Sequence, residues 1–247
     1  MRVERIEIVS AFTRDEAVLL KHGPQINALA QRLRGTVSTL NAPDRSPPEL
    51  PRLVVRFEDS LLQVGFNRYQ IVMEPPKHVS GSYDDAIEYA RNRVRPILKD
   101  LTNSGAYEWT GIVVECVFPQ DLSRFRSGNQ AVHPVFSRLT TLDWPEDELA
   151  SFDLRLGLRR NGYFRSYVIS GYEIRELQFM TPPGVTRVAI DTTQGRVTET
   201  GYSIVLDVNN RPLQSKAGPI TDLEAGLREH AAAYSSLSDD LNLRGLL

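Results

Sequence analysis

Residues Arg52–Glu74 read RLVVRFEDSLLQVGFNRYQIVME, and this stretch carries the clearest β signal in the first half of the chain. Apolar residues alternate along two runs, Leu53–Phe57 and Leu62–Phe66, and the turn-forming residues Glu58–Ser60 lie between them. Alternation on both sides of a short polar turn predicts an antiparallel hairpin. The alternation resumes at Tyr69–Met73, which predicts that the second strand continues past a short break.

A helical pattern follows this hairpin. Apolar residues recur in steps of four and three, at Tyr83, Ile87, Ala90, Val94, Ile97 and Leu101. Such a single stripe predicts a helix that packs on a sheet. The end of the chain repeats the same steps at Leu223, Leu227, His230, Tyr234, Leu237 and Leu241.

The second half of the chain also contains hairpin signals before its helix. Alternating leucines in Leu154–Leu158 lead to Asn161-Gly162, and an extended run follows from Tyr163 to Gln178. Asn-Gly between alternating runs is the strongest short signal for a two-residue hairpin turn. A further hairpin is predicted with Val188 and Ile190 on one arm and Tyr202–Val208 on the other.

These patterns predict an α+β fold in which antiparallel β-hairpin sheets pack against long amphipathic helices. Because hairpins precede a helix in both halves, a duplicated hairpin-plus-helix unit is one interpretation. Chance similarity between amphipathic helices is the other. Duplication predicts an N-terminal lobe at residues 1–122, a connecting segment at 123–145 and a C-terminal lobe at 146–247. A single compact domain is the alternative division.

Composition and charge exclude several classes of protein. The chain has 247 residues, of which 41% are hydrophobic, and its formal net charge is −2. A chain of this composition can bury a large core, and it has no overall positive field to attract nucleic acid or anionic lipid. The opening MRVERIEIVS lacks the apolar core of a signal peptide, and no run approaches the length of a membrane span. We therefore expect a cytoplasmic protein that does not bind membranes.

No motif indicates catalysis, a cofactor or a metal site, so no catalytic, cofactor-binding or metal-binding residue is assigned, and the chain is interpreted as more consistent with a non-enzyme. Cys116 is the only cysteine and lies in an apolar strand pattern, which predicts an unreactive core thiol. His230 lies within the apolar stripe of the last helix, which predicts a hydrogen-bonded, partly buried histidine.

One basic cluster surrounds the Asn161-Gly162 turn. Arginines and aromatic residues alternate there, at Arg155, Arg159, Arg160, Tyr163, Phe164, Arg165 and Tyr167. Arginines with interleaved aromatic residues on a β-ribbon can follow a nucleic-acid backbone and stack on bases. The alternative interpretation is a solvated sheet face, since Asp153, Glu173 and Glu176 nearly balance the charge.

Three segments together resemble a known family. These are the hairpin Arg52–Glu74, the strand IVLDVNNRP at Ile204–Pro212 and the closing helix TDLEAGLREHAAAYSSL at Thr221–Leu237. They resemble a sporadically distributed bacterial family of similar length whose function is not established. The resemblance implies a cytosolic bacterial protein in an accessory system such as phage defence or a toxin–antitoxin pair. It carries over no catalytic residue.

Three functions remain open at this point. The first is a protein-binding or assembly module with a protein partner or self-association, since sheet edges offer pairing surfaces. The second is a small-molecule binder or enzyme with a pocket between sheet and helix, to which tyrosines would contribute polar groups: Tyr69, Tyr172, Tyr202 and Tyr234. The third is nucleic-acid binding through the hairpin at Arg155–Arg165.

Overall fold

A computed structural model describes residues 1–41, 43, 45–101, 106–140, 145, 152–176, 195–213, 216–241 and 243. Strands β1 to β9 are Arg2–Phe12, Thr36–Thr39, Leu53–Arg56, Ser60–Val64, Arg68–Met73, Tyr107–Gln120, Asp153–Arg160, Tyr163–Glu176 and Arg196–Asn209. Helices α1 to α6 are Val18–Arg32, Lys77–Ser80, Tyr83–Leu101, Gly128–Leu139, Pro219–Ser235 and Leu237–Asp240. The predicted hairpin arm at Val188 and Ile190 lies outside the described residues.

The described strands form one nine-stranded sheet in the order β2-β3-β4-β5-β1-β6-β9-β8-β7. The ladders β2–β3, β3–β4, β4–β5 and β5–β1 are all antiparallel. An α+β fold with a large antiparallel sheet is therefore confirmed. None of the described helices is long and apolar enough to cross a membrane.

The opening stretch Arg52–Glu74 forms three strands where the sequence predicts two. Tyr69–Met73 belongs to β5, which pairs antiparallel with β4 so that Ile71 lies opposite Leu62. The prediction of one continued strand is wrong because the chain reverses after Gly65. The Gly65 amide donates to the Arg68 carbonyl at 3.0 Å, and a side chain at Gly65 would meet the Pro48 carbonyl oxygen at 2.8 Å.

The helices follow the predicted stripes with two differences. The predicted helix from Thr221 to Leu241 is interrupted at Ser236, between α5 and α6. Helix α4 lies within the segment that the sequence interprets as a connection, and its N-cap Ser127 accepts a hydrogen bond from the Gln130 amide at 3.2 Å. The repeated Ala131, Val132, Val135 and Phe136 spacing is the signal that indicates this helix.

The chain folds into two compact units, each built from several segments. The first unit contains Met1–Cys116, Leu156–Tyr167 and Val205–Ser236. The second contains Val117–Arg155, Val168–Ile204 and Leu237–Leu247. The division into lobes at residues 1–122 and 146–247 stays a prediction.

In the first unit, helix α3 contacts β1, α1 and α5. The apolar stripe of α3 is buried, as are the inward residues of β1, β4 and β5: Ile6, Ile8, Leu62 and Ile71. At the β3–β4 turn, Asp59 accepts a hydrogen bond from the Tyr89 hydroxyl of α3 and pairs with Arg93 at 2.8 Å. These bonds attach the hairpin to the helix in addition to the apolar contacts.

In the second unit, helix α4 begins directly on the backbone of β8. A side chain at Gly128 would lie 2.7 Å from the Tyr172 amide, and one at Gly171 would lie 2.4 Å from the Gly128 carbonyl oxygen. Only residues without a side chain permit this approach. The Gly128 amide donates to Glu173 at 3.0 Å, which places a carboxylate at the positive end of α4.

Candidate functional site: the β7–β8 hairpin

The β7–β8 hairpin turns at Asn161 and Gly162, whose φ angles are 51° and 80°. Positive φ at both positions of a two-residue connection is the geometry that matches the twist of paired strands. The hairpin that Asn-Gly predicts is therefore confirmed. A side chain at Gly162 would lie 2.4 Å from Leu213, because the segment that follows β9 packs against the turn.

Arg165 anchors this hairpin to helix α5. Arg165 is only 2% exposed, and its Nε donates to Oε1 of Glu229 at 3.1 Å. Its Nη2 also donates to the same oxygen. Burial alone would lower the pKa of the guanidinium, but the hydrogen bond and charge of Glu229 raise it, and the net change is upward. The side chain of Arg165 therefore belongs to the core and not to an exposed basic surface.

The end of the hairpin carries exposed apolar and basic side chains together. Leu158 is 42% exposed and Phe164 is 37% exposed. Arg159 and Arg160 are exposed as well. The Phe164 ring lies over Gly157, where a side chain would meet it at 3.3 Å. We refer to Leu158, Arg159, Arg160 and Phe164 as the hairpin tip.

The remaining predicted site residues differ in exposure. Tyr163 is half-buried, and burial raises the pKa of its hydroxyl, with a smaller contribution from the carboxylates of Asp222 and Glu229. Arg155 is exposed on β7 and belongs to the second unit. Within the first unit the structure thus brings Arg159 and Arg160 together at the tip and directs Arg165 toward α5.

A second polar group lies in the core of the first unit, around His230 of α5. His230 is fully buried, and its Nε2 lies 3.0 Å from the Leu206 carbonyl oxygen. A carbonyl oxygen only accepts, so Nε2 carries the proton and Nδ1 accepts the hydrogen bond from the Tyr83 hydroxyl. Burial lowers the pKa of His230 to about 4. The imidazole is therefore neutral and joins α3, α5 and β9.

Aromatic stacking and a buried thiol surround this histidine. The Tyr83 and Tyr234 rings stack with centroids 3.7 Å apart and planes 2° from parallel. Cys116 is buried, and burial raises the pKa of its thiol to about 12. A thiol with this pKa stays protonated at neutral pH. The prediction that Cys116 lies in the core is confirmed.

A third polar group fixes the connection between β9 and α5. Asp222 accepts hydrogen bonds from the Tyr107 hydroxyl at 2.8 Å and from the Asn210 side-chain amide at 2.7 Å. The Asn210 side-chain oxygen in turn accepts from the Thr110 backbone amide at 2.7 Å. Asn210 and Asp222 are buried and hydrogen-bonded to each other, so we interpret this group as structural: it holds the start of α5 against the end of β9.

The cavity beside Tyr69, one of the four tyrosines of the pocket hypothesis, is small. A cavity lined by Ser10, Phe12, Tyr69, Leu98, Leu101, Tyr107 and Pro219 has a volume of about 10 Å³. That volume is about the minimum for one water molecule. Tyr69 is 3% exposed and packs against Phe12 with ring centroids 4.9 Å apart and ring planes tilted by 43°.

Within the described residues, no group of three or more His, Cys, Asp or Glu side chains is arranged to hold a metal ion. The chain is an α+β protein with a large antiparallel sheet. No model of a known protein family matches the chain, and no curated protein is significantly similar to it. The resemblance to the sporadically distributed bacterial family therefore stays a prediction.

Proposed function

We propose that this chain is a non-enzymatic protein-binding or assembly module that docks its partner through the hairpin tip. The observation that supports this proposal is the exposure of two large apolar side chains, Leu158 and Phe164, beside Arg159 and Arg160. Protein interfaces are enriched in aromatic residues and arginine, and a few such residues carry most of the binding energy.

The base of the hairpin gives the tip a defined position. Arg165 is bonded to Glu229, and Leu213 packs on the Gly162 turn. A site held in its bound geometry loses little conformational entropy on association. Among the described strands, β7 lies at one end of the sheet, and the unpaired amide and carbonyl groups of such a strand can bond a partner chain.

In this proposal the protein acts in the bacterial cytoplasm, within an accessory system such as phage defence or a toxin–antitoxin pair. The support for that setting is the resemblance of the hairpin Arg52–Glu74 and the helix Thr221–Leu237 to the bacterial family. Self-association and a second protein are the two kinds of partner that the proposal admits.

Nucleic-acid binding is the second candidate, because Arg159 and Arg160 are exposed next to the aromatic Phe164. With Arg165 buried, fewer cations remain to neutralise phosphates than the sequence pattern predicts. The small-molecule pocket has less support, given the cavity of about 10 Å³ beside Tyr69.

Replacing the apolar part of the tip tests the proposed function. We expect the double variant Leu158→Ser/Phe164→Ser to bind the partner at least tenfold more weakly than wild type. The reason is that removing two exposed apolar side chains from the interface lowers the binding free energy by about 1.4 kcal/mol or more. The measurement is affinity purification from the cells of origin, followed by quantification of the partner bands and by sedimentation of the purified protein to detect self-association.

The matched control is Leu20→Ser, since Leu20 is 85% exposed on α1 and lies outside the tip. The control is expected to retain the partner at the wild-type level. Equal recovery with the tip variant and the control, or a strict monomer that recovers no protein, would contradict the proposal. Recovery of nuclease-sensitive material that falls with Arg159→Glu/Arg160→Glu and with rising salt would favour nucleic acid instead.

We also propose that the fold arose by duplication of a unit that combines a hairpin with a helix. Apart from the short elements β2 and α2, which have no counterpart among the described elements of the second half, the order β1-α1-β3-β4-β5-α3 matches β6-α4-β7-β8-β9-α5. The sheet order is consistent with it, since β5, β4 and β3 follow β1 on one side and β9, β8 and β7 follow β6 on the other. In this proposal the helices that pack on the sheet were duplicated together with the strands.

Residues at equivalent positions support the duplication. The sequence YQIVM of β5 corresponds to YSIVL of β9, so Tyr69 and Tyr202 occupy the same position. Tyr69 packs on Phe12 of β1 with ring centroids 4.9 Å apart and ring planes tilted by 43°. Tyr202 stacks on Phe118 of β6, the counterpart of β1, with centroids 5.0 Å apart.

Double-mutant cycles test this equivalence. We expect the Phe12–Tyr69 and Phe118–Tyr202 pairs to show similar favourable coupling of about 0.5–1.5 kcal/mol, the range for aromatic pairs. The measurement is urea unfolding of the single and double leucine variants of each pair. Coupling in one pair and none in the other would argue that the two positions are not equivalent.

A further inference from the structure

His22 is a buried histidine on the inner face of helix α1. It is 4% exposed and shares this face with Val18, Ile26 and Leu29, which are all buried. Within the described residues, neither ring nitrogen of His22 forms a hydrogen bond. The Tyr69 ring of β5 lies against it, with ring centroids 6.4 Å apart and planes at 86°. A neutral imidazole fits this position, whereas an imidazolium would be cut off from water and from any acceptor.

Burial and two charged neighbours determine the protonation of His22. Burial lowers its pKa, the Asp15 carboxylate in the β1–α1 loop raises it, the Lys21 ammonium lowers it, and the net change is downward. Strands β2 and β3 also contact α1 and contribute one charged residue, the exposed Arg56. From α3, Asp100 pairs with the last residue of α1, which lies about 15 Å along the helix axis from His22.

The first turns of α1 are weakly joined to the rest of the helix. Pro24 lies inside α1 and has no amide hydrogen, so the Leu20 carbonyl receives no helical bond from position 24. Gly23 precedes this proline, and glycine loses more backbone entropy in a helix than any other residue. A side chain at Gly23 would meet no atom within 4 Å, so nothing packs there. The chain can therefore bend at Gly23 and Pro24 while Ile26 and Leu29 stay buried.

The start of α1 is held mainly through Asp15. Its carboxylate accepts hydrogen bonds from the Ala17 amide at 3.0 Å and from Lys21 at 2.7 Å, and its carbonyl accepts from the Val18 amide at 3.2 Å. The N-cap Ala17 adds no side-chain bond. Because the Lys21 side chain is 55% exposed, its ion pair with Asp15 contributes little and is easily exchanged. A protonated His22 that reaches solvent can take the place of Lys21.

We propose that residues 18–23 form a pH-sensitive segment that leaves the core when His22 is protonated. In the closed form the imidazole is neutral and buried. In the open form the chain bends at Gly23 and Pro24, the imidazolium is hydrated, and the buried side chain of Val18 becomes accessible. The open form binds a proton that the closed form does not, so opening increases as the pH falls below 6.5, the ordinary pKa of histidine. This inference goes beyond the proposed docking function and does not depend on it.

Hydrogen–deuterium exchange at pH 7.5 and pH 5.5, corrected for the intrinsic exchange rate of each amide, tests the inference. We expect the opening constant for the amides of Lys21, His22 and Gly23 to rise by about threefold to tenfold at the lower pH. Tenfold is the upper limit because an exposed histidine one pH unit below its pKa is protonated tenfold more often than not. Residues 26–32 of the same helix are expected to keep their opening constants within about twofold.

Two variants make this result specific to His22. His22→Leu keeps an apolar side chain on the inner face but cannot be protonated, so its opening constants should agree within about twofold at the two pH values. His78→Leu, at an exposed position on α2, is the matched control and should show the wild-type rise.

Three outcomes would overturn the inference. The first is a wild-type rise of less than about threefold. The second is an equal rise in residues 26–32, because that would indicate global acid unfolding and not a local opening. The third is the same rise in His22→Leu as in wild type. The wild-type comparison needs no variant, so it remains decisive even if His22→Leu is less stable.

Discussion

Replacing Glu229 with alanine is expected to lower the free energy of unfolding by about 3–5 kcal/mol. The reason is that Arg165 stays buried and charged after its carboxylate is removed, and an uncompensated buried charge is costly. Arg165 has a side chain only 3% exposed, and that of Glu229 is 13% exposed, so water replaces the lost bonds poorly. Urea unfolding at neutral pH measures the change.

Two further variants make this result specific to the buried pair. Glu88→Ala removes a carboxylate that pairs with Arg91 but is 53% exposed, and it should cost less than about 1 kcal/mol. Arg165→Met/Glu229→Leu removes both charges together and should recover most of the loss, because apolar replacements of a buried ion pair are tolerated. A small effect of Glu229→Ala alone would mean that Arg165 is hydrated in solution.

Acid is expected to destabilise the protein by about 3 kcal/mol through His230 alone, between pH 6.5 and pH 4. Burial lowers the pKa of His230 from 6.5 to about 4 in the folded state. In that window the unfolded chain binds a proton that the folded chain does not, so the free energy of unfolding falls as the pH falls. The contribution of the neutral His230 to stability is fully present above pH 6.5. Each tenfold change in proton affinity contributes about 1.4 kcal/mol.

The variant His230→Leu isolates this contribution. It should unfold more easily than wild type at pH 7, because the Tyr83 hydroxyl and the Leu206 carbonyl lose their partner. The difference in free energy of unfolding between wild type and His230→Leu should decrease toward pH 4, because protonation of His230 destabilises only the wild-type protein. His78→Leu, at an exposed position on α2, is the matched control and should keep the wild-type pH dependence. A His230→Leu curve parallel to wild type would contradict the neutral buried imidazole.

Several local features of this fold are predictable from the sequence because they depend on nearest neighbours. Asn161-Gly162 predicts a tight turn, and both residues adopt the positive φ that such a turn requires. The stripe from Tyr83 to Leu101 predicts α3, whose stripe residues are buried. The extent of β5 is not predicted, because alternation alone does not reveal that the chain reverses after Gly65.

The candidate site is only partly predictable, for a reason that Arg159 and Arg165 illustrate. Alternation with a period of two determines which residues share a face, but it does not determine which face another element will cover. Helix α5 brings Glu229 onto Arg165, which is 64 residues away in the chain, while Arg159 stays exposed. No local pattern contains that information.

The sequence by itself therefore determined the α+β class, the Asn161-Gly162 turn and the apolar stripes of the long helices, since propensity and periodicity act over a few residues. It also placed His230 on the buried stripe of the last helix. Only the tertiary structure decided that His230 is neutral, because burial lowers its pKa and that burial depends on packing with distant residues such as Tyr83, 147 residues away in the chain. Packing between distant elements determines which polar side chains are enclosed, and enclosure sets their protonation, their pairing and their access to a partner.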